Sequence, residues 1–521
     1  MRANFANSLA FQPCPLILPS IPALAVRRST LPLPTELLSL IFLECFYLDL
    51  DDPSLECIKP SRTNTPLTLT WVCSHWRQVA LSLPLLWTNI ALESGSPPSH
   101  AAAQLLELYL SRSGDMLPLH FRLDYSKADY EEVNPSNDFS IAEKARREAY
   151  STGMRRLAHI LERVRLRWRF LAVSGNVIEA LDDFLQSLVL GAPKLSYLLI
   201  STDSIDFGEQ ERVLNLERCP RLQCIVIHCP KLLLDPFTMP NLQHMYSLDL
   251  SWSQSQLDAL VWLESCPNLE DLSIDFIPTD VFMQSNAFPL TLSHLTQFEL
   301  ELFCNGEDPS SFLDILSFPG LRNFTLKMEG AVQLGPENQW RRVIEFLQRS
   351  EGAPLEALEL LGTPLNPQEF MEILQMTPGL RKLVFDGILA TAEILDRLSG
   401  PAALTPSIDS EYEVVDMNSI RIPLCPKLET LELHNYSQPP LALADMALSR
   451  CQLSTTAQAR VGGELSLDAP CYSTLKNLIF IGDVSPSPSN NPAFQACRDR
   501  GLRIIERCFS FQSSLAIRSS T

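Results

Sequence analysis

The residues with most capacity for chemistry lie in "CPRLQCIVIHC", where Cys219, Cys224, His228 and Cys229 fall close together. Thiolates and imidazoles are the ligands that hold zinc. The spacing argues against a shared ion. Cys224 and His228 would share a strand face four residues apart, roughly 13 Å at strand rise. Two zinc ligands each lie only about 2.0–2.3 Å from the metal. These side chains therefore read as thiols and an imidazole on a repeat surface, and no metal is expected. His75, beside Trp76, reads as helix surface and not as a catalytic base. There is no Gly-rich phosphate loop, no G-x-S-x-G and no H-E-x-x-H, and no Ser or Cys has a recognisable base partner. Neither a catalytic residue nor a cofactor is expected. What remains is a set of carboxylates, whose meaning depends on the elements that carry them.

Those elements recur. The pattern L-x-x-L-x-L, with apolar replacements, begins at Trp168/Leu171/Val173 and Leu195/Leu198/Ile200 and ends at Leu428/Leu431/Leu433 and Leu475/Leu478/Phe480. Its eleven occurrences start 27, 27, 23, 24, 26, 26, 34, 25, 48 and 47 residues apart. Several follow a similar turn, "CPRL", "CPNL", "FPGL", "TPGL" or "CPKL". Between them lie stretches with apolar residues at helical spacing: "VIEALDDFLQSL", "QLDALVWLESC", "FLDILSF", "WRRVIEFLQRS" and "FMEILQM". Asn366, Pro367 and Glu369 form a helix start with a capping box. Each unit thus reads as strand, turn and helix, and one unit cannot bury its apolar edge without stacked neighbours.

In such strands the leucines point inward and the residues flanking the last two point outward. The outward places hold Asp249, Asp271, Asp275, Glu299, Glu301, Glu359, Asp386 and Glu432, against Lys327 and Lys382 as the bases of the same set. That bias exceeds the chain's 61 acidic against 41 basic residues. It fits either a solvated sheet or a face for a basic target protein, steered at long range.

The bulk properties agree with an interaction protein. A chain of 521 residues exceeds one compact core, and 46% hydrophobic with 20% charged residues is an ordinary globular balance. A net charge of -20 disfavours nucleic acid and anionic membrane surfaces as partners. Fourteen scattered cysteines read as reduced thiols of the cytoplasm or nucleus. No apolar run reaches the ~20 residues that span a bilayer. The start, "MRANFANSLAFQPCPLILPSIPALAVRR", is broken by four prolines and reads as a disordered leader over 1–30 rather than a signal peptide.

The segment after it has a different character. "LPLPTELLSLIFLECF" puts Pro34 at a helix start, Glu36 in the first turn and Leu37, Leu38, Ile41, Phe42 and Cys45 along one stripe. "TWVCSHWRQVA" puts Val72, Trp76, Val79 and Ala80 along another, and "LPLLW" ends at Trp87. The order Leu33–Pro34, an apolar helix, a long loop, Val72–Cys73, Trp76–Arg77 and Trp87 resembles the F-box, and the loop "YLDLDDPSLECIKPSRTNTP" is similar to that of F-box-like domains of mushroom-forming fungi. The repeats resemble degenerate leucine-rich repeats. They depart from that family in lacking the Asn or Cys after the strand, where Asp203, Pro230, Ile277, Phe303 and Ile388 stand.

The resemblance implies an α/β fold, a short helical F-box followed by an irregular horseshoe solenoid. It implies docking of the helices on a Skp-type linker protein, and through it on a cullin–RING ubiquitin ligase, while the repeats hold the target. Leu33, Pro34, Leu37, Leu38, Ile41 and Phe42 are expected at the linker, with Trp76 and Trp87 as aromatic anchors or as internal core. The expected organisation is 1–30 leader, 31–91 F-box-like domain, 92–160 connecting helix, strand and polar loop, 161–485 repeats with insertions near 401–424 and 436–470, and 486–521 a C-terminal tail. The alternative reading is a repeat scaffold outside any ligase, with the N-terminal helices purely structural.

Overall fold

A computed structural model describes residues 33–47, 66–93, 96–126, 141–175, 181–202, 212–229, 232–234, 242–251, 256–276, 289–303, 309–330, 341–350, 352–399, 423–459, 473–482 and 492–507. The expected leader, the long loop before residue 66, the polar loop over 127–140 and most of the acidic insertion over 401–424 lie outside them. The chain divides into two compact units, Met1–Leu86 and Trp87–Thr521.

In the first unit the described elements are helices α1 (Thr35–Tyr47), α2 (Pro66–Val72) and α3 (Ser74–Ser82). The Pro34 carbonyl accepts the first bond of α1 from the Leu38 N–H, 3.0 Å away. Cys73 caps α3, its Sγ accepting from the Trp76 N–H at 3.4 Å. Leu38 and Phe42, four residues apart on α1, face inward, and the Phe42 ring meets Trp76 edge-on at 5.0 Å.

The second unit is built on one fourteen-stranded sheet whose strands follow chain order, every pairing being parallel. All eleven L-x-x-L-x-L segments supply strands, and each of their pattern residues is at most 5% exposed. The apolar period therefore set strand positions and register together. Phe324, for example, pairs with Phe298 on one side and Leu358 on the other, so core residues align across neighbours. Four short strands pair outside the sheet, Arg212–Leu214 with Leu232–Leu234 and Leu290–Thr291 with Leu316–Ser317.

Helices cover the leucine side. Helix α4 (His100–Arg112) ends before Gly114, whose φ of +66° closes it, and helix α5 (Ile141–Glu162) follows. The helix Pro367–Met376 has the expected capping box, with both of its hydrogen bonds formed. "FLDILSF" differs from expectation. It forms a 3-10 turn, Pro309–Ile315, and a two-residue strand, Leu316–Ser317, that pairs with Leu290–Thr291.

The sheet also runs past the repeats at both ends. Asn89–Glu93 pairs with Leu119–Asp124 and opens the sheet, and residues 87–91, expected in the helical domain, belong to the second unit. Arg503–Arg507 pairs with Asn477–Ile481 and closes it, so the expected tail contains the last strand. Within the expected insertion at 436–470 lies the long helix Pro440–Ala459.

Candidate functional site

In the first unit the helical period splits the expected stripe on α1 into two. Leu38 and Phe42 are 1% and 2% exposed, which removes them from any partner surface. Leu33, Leu37, Leu40 and Ile41 are 44–63% exposed, and Pro34 is exposed beside them. Leu37, Leu40 and Ile41 are neighbours on α1 at i, i+3 and i+4. Sequence reasoning missed Leu40 in this set, and also missed Trp71, 73% exposed at the end of α2. Val72, read on one stripe with Trp76, Val79 and Ala80, is exposed while Val79 and Ala80 are buried, because the break at Cys73 restarts the helical phase. Trp76 is half-buried against Phe42. Trp87 is buried in the second unit, packed edge-on against Tyr109 at 5.1 Å, and serves as core rather than as a linker anchor. The His75 ring Nε2 lies 3.2 Å from the Leu33 carbonyl, a local tie rather than a base.

On the sheet, alternation sends the eight carboxylates to the face opposite the leucines, and the register decides which of them meet. Asp249, Ser273, Glu299, Thr325 and Glu359 align in one row. Ser247 and Asp271 align in the row before it, and Asp275 and Glu301 in the row after. Asp249, Asp271, Asp275, Glu299 and Glu301 thus form one cluster on three adjacent strands.

The electrostatics of the cluster follow from crowding. Burial, then the charges of Glu301 and Asp249, push the Asp275 carboxyl up to about 8, with nearby His228 opposing. Asp271 is raised for the same reasons, burial first, then Asp249 and Glu299. Burial by itself would lower Lys327, but its hydrogen bond to Glu299, 2.5 Å long, and the acidic surroundings raise it.

The other predicted acids are apart from this group. Asp386 accepts from the Gly362 N–H at 2.6 Å. Glu432 pairs with His434 at 3.1 Å, and that bond lowers its carboxyl. Arg507, in what reads as tail from sequence, also lowers Glu432, so the acidic bias weakens at that end. Next to the acids on the other side the sheet carries an aromatic stack that sequence reasoning missed. His120 and Phe170 stack at 6.1 Å, and Phe170 and Tyr197 at 4.3 Å with planes 7° apart. Register is the signal that would have found it, since Tyr197 pairs directly with Phe170.

The cysteine cluster resolves into packing. Cys219, Cys224 and Cys229 are buried, and burial raises their thiols to about 11, 12 and 12. His228 Nε2 lies 2.9 Å from Asp249 Oδ2, which turns it toward the acidic cluster. Among the described residues no helix is long and apolar enough to cross a membrane, and no group of three or more His, Cys, Asp or Glu side chains is arranged to hold a metal. No protein-family model matches the chain, and no curated protein matches it in sequence.

Proposed function

We propose that the chain is a non-catalytic adaptor, the substrate-recognition subunit of an SCF-type cullin–RING ubiquitin ligase. In this reading the first unit is an F-box that docks on a Skp-type linker, and the second is an irregular leucine-rich-repeat solenoid that holds a target protein. The observation that carries it is the exposed apolar row on α1. Leu37, Leu40 and Ile41 face solvent on a helix whose other side already has its core in Leu38 and Phe42, and Leu33 is exposed just before it. A small helical unit that leaves such a row uncovered has surface for the groove of a partner.

The acidic cluster supports the second half. An excess of carboxylates on a broad sheet suits a target presenting Lys and Arg, steered by charge and weakened by salt. Affinity capture of the tagged full chain from lysate, read by mass spectrometry, tests the assembly. Linker together with cullin supports the adaptor reading. Linker without cullin supports a scaffold that uses the same helix outside the ligase, and neither removes the F-box assignment.

A further inference from the structure

Charge on this acidic chain is unevenly spread. Residues 141–169, which include α5, hold nine Lys and Arg against three Glu, a net of +6 in a chain of -20. The structure places the middle of this segment along a cleft of about 750 Å³ between α4 and α5. The lining residues Arg155, Arg156 and His159 on α5, and Arg163 just past its end, fall at three- and four-residue intervals over about two turns, roughly 12 Å at 1.5 Å per residue. Ala103 and Ile160 contribute the apolar part of the wall, and Glu107 and Glu162 its acids. At the end of the cleft the Arg165 Nε–H is buried without a hydrogen-bond acceptor.

The cations are held loosely. Arg163 reaches Glu107 at 3.2 Å with side chains 64% and 56% exposed, and Arg155 reaches Asp183 at 3.2 Å. Exposed pairs of this kind contribute little and exchange readily for another carboxylate. Arg155 and Arg163, the cations at the two ends of this run, stand roughly 12 Å apart along the axis, with His159 between them. Alternate side chains of an extended peptide lie about 6.6 Å apart. The match is to a linear ligand with carboxylates four residues apart, about 13 Å in extended chain. The length and open run of the cleft fit a chain segment better than a compact metabolite.

The geometry points to the α4–α5 cleft as a docking groove for an extended acidic segment of a partner protein, separate from the sheet face and independent of the F-box reading. A nucleic acid strand is disfavoured, since Glu107 and Glu162 stand in the wall and the chain as a whole repels phosphate.

The test is fluorescence anisotropy of the full chain with a labelled Glu-Ser repeat peptide of about ten residues, with the Gln-Ser repeat as control. Saturable binding of the Glu peptide, weakened by salt, is expected, and none of the Gln peptide. The double variant Arg156→Glu/Arg163→Glu should lose at least tenfold in affinity. Glu107→Gln, which removes the internal competitor, should bind several-fold more tightly, a gain that misfolding cannot imitate. Equal binding by wild type and the double variant, no gain in Glu107→Gln, or no saturable binding of the Glu peptide overturns the proposal. A single-stranded oligonucleotide that displaces the peptide at lower concentration, and that fails on the double variant, also overturns it by making the cleft a nucleic-acid site.

Discussion

Asp275 and Glu301 stand directly opposite each other on adjacent parallel strands. Neighbouring strands are about 4.8 Å apart, so two carboxylates there cannot both ionise without mutual repulsion. Asp275 bears the cost, its carboxyl raised to about 8 by burial first and then by Glu301.

That shift has a sign for stability. An aspartate of the unfolded chain ionises at about 3.8, while folded Asp275 holds its proton to about 8. The native state binds the extra proton in between, so this site stabilises fully below 3.8 and its contribution is lost as pH rises through 8. Asp275→Asn should leave the melting temperature near its wild-type value at about pH 4 and raise it by about 1–3 °C above pH 8. Calorimetry across that range checks this, and a uniform decrease at every pH contradicts the repulsion.

The same proton reports on target binding. A Lys- or Arg-rich peptide seated on the cluster favours the ionised form of Asp275, so binding at neutral pH should release a proton. Calorimetric titration with a polylysine peptide in buffers of different ionisation heat should show apparent enthalpies that vary with the buffer, and the dependence should shrink in Asp275→Asn. Enthalpies that do not change with buffer would show that the peptide seats elsewhere.

Arg450 tests a different part of the fold. It is fully buried, donating from Nε to the Leu398 carbonyl at 2.5 Å, from Nη1 to Cys425 at 3.0 Å and from Nη2 to Leu424 at 2.6 Å. Burial lowers it only to about 10, so it stays charged at neutral pH. The carbonyls belong to the two sides of the acidic insertion, and Leu398 ends the helix Ala392–Leu398, where a cation suits the dipole. Arg450→Met strands three buried acceptors and should cost about 3 kcal/mol or more in urea unfolding. A loss under about 1 kcal/mol contradicts the clamp.

Gly362 follows the strand Ala357–Leu361 with φ of +63°, and a Cβ there would stand 1.8 Å from the Met328 carbonyl oxygen. Gly352, at φ +80°, has open space around its Cβ position. Gly362→Ala should therefore cost clearly more stability than Gly352→Ala, whose penalty is the backbone strain of about 1 kcal/mol. Equal losses in thermal melts of the two variants would contradict the close approach.

The strands were legible because one short pattern fixes both a period of two and a core. Each leucine triplet could be located before its partners were known. The outermost strands were not: Trp87/Ile90/Leu92, which has the triplet spacing, reads as the close of the helical domain, and Arg503–Arg507 carries no such triplet and gains its place by pairing with Asn477–Ile481. The acidic residues were legible one by one. Their clustering was not, because it depends on the register that sets Asp275 against Glu301 and leaves Asp386 and Glu432 apart. On α1 the apolar residues were visible, but Leu37 and Leu38 are adjacent in sequence and one is exposed while the other is buried, a division that only packing decides. The basic cleft was hidden by the total charge, which averages a +6 segment into -20.

The central claim rests on that division of α1. Phe42→Asp would introduce a charge into the core beside Trp76 and unfold the unit, whereas Leu37→Asp/Ile41→Asp changes only exposed positions. The decisive measurement is the affinity of the purified full chain for a purified Skp-type linker by calorimetric titration, with circular dichroism confirming that the double variant stays folded. Tight binding by the wild type is expected, with at least a hundredfold loss in Leu37→Asp/Ile41→Asp, several kcal/mol at an apolar interface. Unchanged affinity in the folded double variant, or a wild type that does not bind the linker, contradicts it.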